Sequence, residues 1–362
     1  MLHYSQGGIA QYTLHLIRAL ADIDSEDRFT ILKSRKERRT FVQQPNFHYR
    51  SLWTPSHHHL EQLTLPFELA FQPLDVLHST DFIPPFRRNC RVVITVHDLA
   101  FLHYPYLLTK DSARYYGQIK RAAESAEGII AVSENTRRDM LQLLGIPLER
   151  VDVIYHAADP IFQPLDDLGR LEVFCREHDL PSSFMLWVGV LEPRKNLPIL
   201  LRAFSILRDE GELASDHLVV VGPKGWLFQD ALDLINELRL KDRIIFYGPA
   251  TLSELMLLYN CAWLFVFPSL YEGFGFPPLE AMACGTPVVC SNAASLPEVV
   301  GDAAVLFDPH DSDTLAHAIA EVKNNAPLRQ ELRQKGLQRA AQFSWRKTAE
   351  QTLAIYRRVH RQ

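Results

Sequence analysis

Residues 265–287 read FVFPSLYEGFGFPPLEAMACGTP, and this stretch decides the fold class. It opens with the end of an apolar run, Ala262 to Phe267, which is short and closed by a proline, as is typical of a buried strand. After a loop that contains glycine, Pro277 and Pro278 favour a first helical turn, and a later glycine ends the predicted helix. The stretch therefore predicts a strand, a loop and a helix, the repeating unit of an α/β protein.

Two carboxylates lie in this stretch, Glu272 in the loop and Glu280 in what the prolines predict to be the first helical turn. Glycines let backbone approach a ligand closely, and a helix start offers unpaired N–H groups to an anion. Carboxylates accept hydrogen bonds from hydroxyl groups. A ligand that carries both phosphate and hydroxyl groups, such as a nucleotide-sugar, suits this combination. We expect Glu280 to be ionised because acids are stabilised in the first turn.

Glu272 and Glu280, eight positions apart, resemble the E-x7-E motif of the retaining glycosyltransferases of family 4, also called glycosyl transferases group 1. Three further segments match motifs of that family in the same order along the chain: GGIAQY from Gly7, VHDL from Val96 and WVGVLEPRKN from Trp187. The four motifs span nearly the whole chain. The resemblance implies the α/β fold called GT-B, in which two Rossmann-like domains with parallel sheets face a cleft.

Strand-like runs alternate with helical stretches on both sides of a segment rich in proline and aspartate, 157–170, which is typical of a linker. We predict an N-terminal acceptor domain over 1–165 and a C-terminal nucleotide-sugar-binding domain over 166–342. An amphipathic stretch over 343–362 predicts a final helix. The resemblance implies that this helix returns to pack on the N-terminal domain.

The family has a full strand before the glycine pair Gly7 and Gly8, usually in the middle of the first sheet. Only six residues precede the pair here, so we expect the first strand to be missing from the N-terminal domain. Either the start site is assigned too late, or another segment takes the strand's place, or the first domain is less stable than usual.

The cation pair Arg194 and Lys195 follows a predicted strand and turn and precedes a predicted helix. A guanidinium and an ammonium placed together suit the negative charge that grows on a diphosphate leaving group. The family requires the flanking glycine, Gly189, and places Glu272 near the donor sugar. A nucleophilic role for Glu272 is the alternative, whereas the resemblance implies that the leaving phosphate takes the acceptor's proton.

His97 follows a strand-like run, where a histidine is more often structural than functional. The VHDL motif nevertheless implies that His97 contacts the donor sugar or its phosphate. The expected catalytic residues are therefore His97, Arg194, Lys195 and Glu272. The expected donor and nucleotide contacts are Gly8, Gly189, Gly273, Phe274, Gly275 and Glu280, with Glu280 accepting from two ribose hydroxyls.

Metal and other cofactors are not expected, because cations and backbone N–H groups already neutralise the negative charge of the diphosphate leaving group. The run His57 to His59 has no fourth ligand nearby, and we interpret it as a solvated helix start.

No nucleic-acid partner is expected at a net charge of −5. The longest apolar run is far short of the ~20 residues of a membrane helix. No secretion signal and no CxxC spacing occur, so we expect a cytoplasmic protein.

The basic cluster KSRKERR, from Lys33 to Arg39, is interpreted either as a solvated loop or as a contact with anionic lipid at the inner face of the membrane.

The resemblance implies a retaining enzyme that moves a hexose from a nucleotide-diphosphate sugar to a saccharide or lipid-linked acceptor in polysaccharide or glycoconjugate synthesis. The HD and EPRKN segments most resemble mannosyltransferases that use GDP-mannose. A nucleotide-sugar epimerase and an inactive nucleotide-sugar binder stay open, whereas GGIAQY is not the GxGxxG of dinucleotide oxidoreductases.

Overall fold

The structure, a computed structural model, describes residues 7–55, 60–213, 215–225 and 228–361. The chain divides into two compact units. The first comprises Met1–His156 and Ser344–Gln362, and the second comprises Ala157–Phe343. The histidine run from His57 to His59, interpreted from the sequence as a solvated helix start, lies outside the described residues.

Six strands and six of the described α-helices of the first unit come before the second unit along the chain. The strands are β1 Phe29–Ser34, β2 Phe47–Leu52, β3 Val76–Ser79, β4 Arg91–Val96, β5 Gly128–Ala131 and β6 Val151–Val153. The helices are α1 Gly8–Ile23, α2 Glu61–Leu69, α3 Ala100–His103, α4 Lys110–Tyr116, α5 Ile119–Ser125 and α6 Glu134–Leu144.

The strands of the first unit form two separate parallel sheets. β1 pairs with β2, with Phe29 opposite Phe47, and the other four strands form a sheet in the order β3-β4-β5-β6. Within the described part of the chain, no strand pairs with the second edge of β1 or of β3. The middle of the larger sheet is the core, since Val92, Val93 and Ile94 of β4 are fully buried.

The second unit contains one larger sheet. Its strands are β7 Phe184–Val188, β8 His217–Val221, β9 Ile244–Gly248, β10 Leu264–Phe267, β11 Val288–Ser291 and β12 Val305–Phe307. Its helices are α7 Leu168–Glu177, α8 Leu197–Asp209, α9 Phe228–Glu237, α10 Leu252–Cys261, α11 Phe276–Ala283, α12 Leu296–Val300, α13 Ser312–Asn324 and α14 Ala326–Ala340.

All pairings in this sheet are parallel, and the strand order is β12-β11-β10-β7-β8-β9. Successive residues of β7 pack into different cores. Met185 and Trp187 belong to a cluster with α8 and α13, whereas Phe184 and Leu186 belong to a cluster with α10 and α11. Helices therefore cover both faces, and the predicted α/β class with parallel sheets is confirmed.

The final helix, α15 Trp345–Arg361, belongs to the first unit. The Ser344 hydroxyl accepts from the N–H of Lys347 at 3.2 Å and so caps the start of the helix. Thr348 Oγ1 donates to the Tyr155 carbonyl at 2.7 Å, and Trp345 stacks on His15 with ring centroids 4.8 Å apart. None of the helices in the described residues has both the length and the apolar character needed to span a membrane.

Candidate active site

The strand order of the second sheet places two loops beside each other. β7 and β10 are neighbours, and the chain builds the sheet outward from β7 to β9 on one side and from β10 to β12 on the other. Ligands of open parallel sheets bind at such a reversal, outside the carboxyl ends of the strands. The turn Pro193–Lys195 follows β7, and the loop 268–275 follows β10. The topology therefore brings the EPRKN segment and the glutamate loop together.

An ion-pair cluster joins these two segments. Arg194 Nη1 donates to Glu272 Oε2 at 2.9 Å, and Lys195 Nζ donates to Glu272 Oε1 at 2.6 Å. Arg194 also donates to Glu192 Oε1 and to the Tyr271 carbonyl, each at 2.7 Å. Three residues that the sequence predicted to be catalytic thus lie in one cluster, with both cations held by the same carboxylate.

Burial and neighbouring charges have opposite effects on the pKa values of the residues in this cluster. The side chains of Arg194, Lys195 and Glu272 are 18%, 12% and 11% exposed. Burial alone would raise the pKa of Glu272, but the two cations and the Ser269 hydroxyl outweigh it and lower that pKa to about 2. For Lys195 burial is the larger effect and lowers its pKa, although Glu272 opposes the shift. Glu272 is therefore ionised at neutral pH.

Serine hydroxyls fix the shape of the glutamate loop. Ser269 is fully buried and donates to Glu272 Oε1 at 2.6 Å, and Ser291 Oγ donates to the Ser269 carbonyl. Ser295 Oγ lies 2.8 Å from the carbonyl oxygens of Glu272 and Phe274. Sequence reasoning missed these residues, because single serines next to loops follow no spacing that would mark them.

Gly275 determines where α11 begins. Its φ of 111° lies in the left-handed region, so a residue with a side chain would be strained there, and an added Cβ would lie 2.8 Å from Leu296 Cδ2, which would have to move. Gly275 caps the helix, which therefore starts at Phe276, before the two prolines. Glu280 is the fifth helical residue. The expectation that it stands in the first turn is wrong.

The environment of Glu280 also differs from the expectation. Tyr259 is fully buried and donates its hydroxyl proton to Glu280 Oε2 at 3.0 Å. Burial raises the pKa of Glu280 to about 7, a larger effect than the opposing hydrogen bond from Tyr259, and Asp159 raises it further. The prediction that the helix position favours the ionised form is wrong, because desolvation dominates. Glu280 titrates near neutral pH, and Tyr259 is a second residue that sequence reasoning missed.

The predicted site glycine Gly189 lies where β7 ends beside β8. Its N–H donates to the Val221 carbonyl at 2.9 Å. A Cβ added to Gly189 would lie 3.2 Å from the Trp187 ring and 3.5 Å from Lys195 Cγ. A side chain at this position would therefore crowd the Trp187 ring, whereas its contact with Lys195 would be an ordinary van der Waals contact.

Phe274 lies in the glutamate loop together with Gly273, but its ring packs into the protein. The ring contacts Phe276 and Phe343 edge-on, with centroids 5.4 and 5.9 Å away, and the residue is 4% exposed. Any contribution of Phe274 to a donor site would therefore come from its backbone.

Two predicted site residues, Gly8 and His97, lie in the first unit, whereas the others lie in the second. Gly8 is the first residue of α1. His97 Nε2 lies 2.8 Å from the Thr80 carbonyl, which can only accept, so Nε2 carries the proton. Burial lowers the pKa of His97, and the Thr80 bond opposes this only in part. His97 is thus a neutral imidazole at pH 7.

Metal ligands are not grouped in the described residues. No cluster of three or more histidine, cysteine or acidic side chains there could hold a metal ion. The charge available at the carboxyl ends of β7 and β10 comes from Arg194 and Lys195, which suit an anion.

Family models match both halves of the chain. A model described as Glycosyltransferase Family 4 matches residues 6–161, and one described as Glycosyl transferases group 1 matches residues 174–339. The chain is 34% identical over 283 residues to O-antigen chain mannosyltransferase B of Escherichia coli, covering 78% of this chain and 74% of that protein. The chain belongs to the family 4 glycosyltransferases.

The family resemblance inferred from the four motifs is thereby confirmed, and the protein is a hexosyltransferase enzyme. It is also 32% identical over 289 residues to the serotype-specific mannosyltransferase WbdA of Escherichia coli. That match covers 78% of this chain but 36% of WbdA, so the chain spans about a third of that relative's length.

Solved structures confirm the predicted GT-B fold. Sucrose-phosphate synthase from Thermosynechococcus elongatus is similar with a TM-score of 0.78 and 22% identity, covering 98% of this chain and 94% of that one. WaaG, a glycosyltransferase of lipopolysaccharide biosynthesis, is similar with a TM-score of 0.77 and 16% identity, covering 98% and 97%. At these identities the likeness concerns the fold alone.

The titration of Glu280 predicts a pH dependence of stability. Its native pKa of about 7 lies above the ordinary value of 4.5, so the native state binds the proton more tightly than the unfolded state. The resulting stabilisation is present below pH 4.5 and is lost as pH rises through 7. Glu280→Gln should therefore unfold like wild type at pH 5 but be more stable at pH 8, by on the order of 2 kcal/mol in urea unfolding of the second unit.

The exposed Glu237→Gln serves as the matched control and should behave like wild type at both pH values. An equal effect of Glu280→Gln at pH 5 and pH 8 would contradict the raised pKa.

Proposed function

We propose that this glycosyltransferase transfers mannose from GDP-mannose to a saccharide or lipid-linked acceptor, with retention of the anomeric configuration, in the synthesis of a polysaccharide. The observation that carries the proposal is the Arg194–Glu272–Lys195 cluster at the carboxyl ends of β7 and β10. The similarity to O-antigen chain mannosyltransferase B supports mannose as the sugar and a polysaccharide as the product.

The cation pair receives the charge of the leaving diphosphate. An ammonium has three N–H donors, and among the described residues Lys195 Nζ gives one of them to Glu272. The remaining donors of Lys195 turn toward a diphosphate, and the Arg194 guanidinium adds its charge beside them. Because both cations are already held in place, they need little reorganisation when charge develops, which is the condition for strong electrostatic catalysis.

Glu272 holds the cations and does not act as the general base. A carboxylate with a pKa of about 2 binds a proton weakly and is a poor general base at neutral pH. Its oxygens accept from Arg194, Lys195 and Ser269, which leaves about one of its four lone-pair positions for a hydroxyl of the donor sugar. The acceptor's proton then passes to the leaving phosphate, which supports retention without a covalent glycosyl-enzyme.

Glu280 holds the ribose through its ionised form. A carboxylate accepts from two vicinal hydroxyls more strongly than a protonated carboxyl group does, so binding of a nucleotide draws the proton off a group with a pKa of about 7. Tyr259 holds one oxygen of Glu280 from the protein interior.

A neutral His97 in the first unit suits contact with a sugar hydroxyl better than contact with a phosphate. We also propose that the backbone of Gly8 contacts the donor, and that the backbone of Gly189, Gly273 and Gly275 does so from the second unit. The enzyme needs no metal, because Arg194 and Lys195 supply the positive charge that a divalent cation supplies elsewhere.

The activity test measures nucleotide release from GDP-mannose, GDP-glucose and UDP-glucose, with and without a saccharide or lipid-extract acceptor, in buffer containing EDTA. We expect nucleotide release that requires both GDP-mannose and an acceptor. The anomeric configuration of the product is determined by NMR.

Lys195→Ala should lower kcat about 10²- to 10³-fold, the loss that follows removal of one charge-stabilising donor, while Kd for GDP changes less.

Lys241→Ala is the matched control, because Lys241 is an exposed lysine at the amino-terminal edge of the same sheet. Wild-type turnover is expected for this variant. Interconversion of the sugar without an acceptor would point to an epimerase, and GDP-mannose binding without turnover would point to an inactive binder.

An exposed aromatic surface in the first unit supports a peripheral contact with anionic membrane at its inner face. Trp53, Leu63, Phe67 and Phe71 are each about 70% exposed or more, at 72%, 69%, 71% and 76%. Monomeric soluble proteins seldom expose so many large apolar side chains in one place. We refer to these four residues as the aromatic patch.

The basic cluster lies beside the aromatic patch. The Arg35 guanidinium stacks on the Trp53 ring at 3.4 Å, and the backbone N–H of Trp53 donates to Glu68 of α2 at 2.8 Å. Lys36 and Arg38 are exposed on the same segment. Apolar side chains next to lysine and arginine are the combination that anchors a protein in the interface of an anionic bilayer.

Vesicle co-sedimentation tests this contact. We expect the chain to bind vesicles of phosphatidylglycerol and phosphatidylethanolamine but not vesicles of phosphatidylcholine, and the double variant Phe67→Ser with Phe71→Ser should bind at least tenfold more weakly. Leu168→Ser, at a leucine that is 70% exposed in the second unit, is the control and should bind like wild type. Equal binding of the double variant and wild type would contradict the contact.

A further inference from the structure

Tyr12, the tyrosine of the GGIAQY segment, lies against the histidine of the VHDL segment. It stands on α1 one turn after Gly8, and its side chain is fully buried. The Tyr12 ring meets the His97 imidazole edge-on, with centroids 4.9 Å apart and ring planes at 75°. Two motifs that are far apart in the sequence are therefore in direct contact within the first unit.

The hydroxyl of Tyr12 ties the tyrosine to the strand that leads to His97. It lies 3.0 Å from Thr95 Oγ1, and Thr95 is fully buried on β4. Side chains two positions apart along a strand lie on one face of the sheet, which is why one tyrosine reaches both Thr95 and His97. The position of the Tyr12 ring is thus fixed relative to β4.

Two further rings support Tyr12. His156, which follows β6, is buried, and its ring centroid lies 4.5 Å from that of Tyr12 and 5.6 Å from that of His97. Trp345, the first residue of α15, stacks on His156 with centroids 5.8 Å apart and planes at 19°. Tyr12 is therefore packed between these rings and the strand.

The orientation of the His97 imidazole depends on these ring contacts as well as on its hydrogen bond. The proton on Nε2 goes to the Thr80 carbonyl, so Nδ1 is the acceptor of the neutral ring. The terminal side-chain torsion of histidine is broad, and turning the ring about it would carry Nε2 away from Thr80. The edge of Tyr12 lies where it opposes such a turn.

We propose that Tyr12 is a positioning residue, which fixes the plane of the His97 imidazole so that Nδ1 accepts from a hydroxyl of the donor sugar. This role rests on the proposed contact of His97 with the donor sugar. Tyr12 touches no substrate and acts through His97. The GGIAQY segment then has two roles, since Gly8 contributes its backbone to the donor site and Tyr12 orients the imidazole.

Transfer kinetics with GDP-mannose test the positioning role. Tyr12→Leu removes the ring, and kcat should fall about 10- to 100-fold because small misplacements of a group at the reacting centre are costly. Kd for GDP should stay at the wild-type value, since GDP carries no donor hexose. Tyr12→Phe keeps the ring and should retain wild-type kcat.

Leu16→Ala is the matched control for loss of stability. Leu16 is buried on α1 one turn after Tyr12, so the variant should also lower the melting temperature of the first unit. Below the melting transition its kcat should equal that of wild type. A fall in kcat as large as that of Tyr12→Leu would overturn the positioning role, because activity would then follow stability alone.

The double variant Tyr12→Leu with His97→Ala tests whether Tyr12 acts through His97. Residues that act as one unit give losses that do not add, so the double variant should have the kcat of His97→Ala alone. Additive losses would overturn the proposal.

NMR of the histidine rings reads the state of His97 without glycosyl transfer. Proton–nitrogen spectra distinguish the two neutral tautomers, and the resonance that is absent from His97→Gln identifies His97. Wild type and Tyr12→Phe should carry the proton on Nε2, whereas Tyr12→Leu should show both tautomers. A single unchanged tautomer in Tyr12→Leu would overturn the positioning role, whereas wild-type kcat in His97→Ala would contradict the proposed function of His97 instead.

Discussion

A single buried carboxylate, Glu272, holds two cations that come from a different part of the chain. The Arg194–Glu272–Lys195 cluster joins the turn after β7 to the loop after β10. Removing one partner from such a buried cluster leaves an uncompensated charge, so the three residues act as one unit. Ser269 and the serines behind it keep the carboxylate in place, and Gly275 sets the start of the helix that carries Glu280.

The two glutamates of the E-x7-E motif have opposite electrostatic surroundings. Glu272 lies between cations, which lower its pKa to about 2, whereas desolvation raises the pKa of Glu280 to about 7. One carboxylate is therefore permanently charged and serves to hold positive charge. The other titrates near neutral pH and can respond to a ligand. Two carboxyl groups eight residues apart thus have different roles because of their neighbours.

Sequence patterns predicted the fold, and they identified the EPRKN segment and the glutamate loop as the two segments that form the candidate site. The short apolar run before the glutamate loop and the EPRKN segment each indicated a strand followed by a turn, and both strands are present. The strand order could not be predicted, because pairing between β7 and β10 is a long-range property that local periodicity does not encode. The helix start before Pro277 was also missed, since the left-handed conformation of Gly275 and its contact with Leu296 exist only in the fold.

A crystal structure with a non-transferable GDP-mannose analogue tests the role of the cation cluster. We predict diphosphate oxygens within hydrogen-bond distance of Lys195 Nζ and the Arg194 guanidinium, with Glu272 still bound to both and the ribose hydroxyls on Glu280. A diphosphate bound away from Arg194 and Lys195, or a ribose without contact to Glu280, would contradict the assignment of this site.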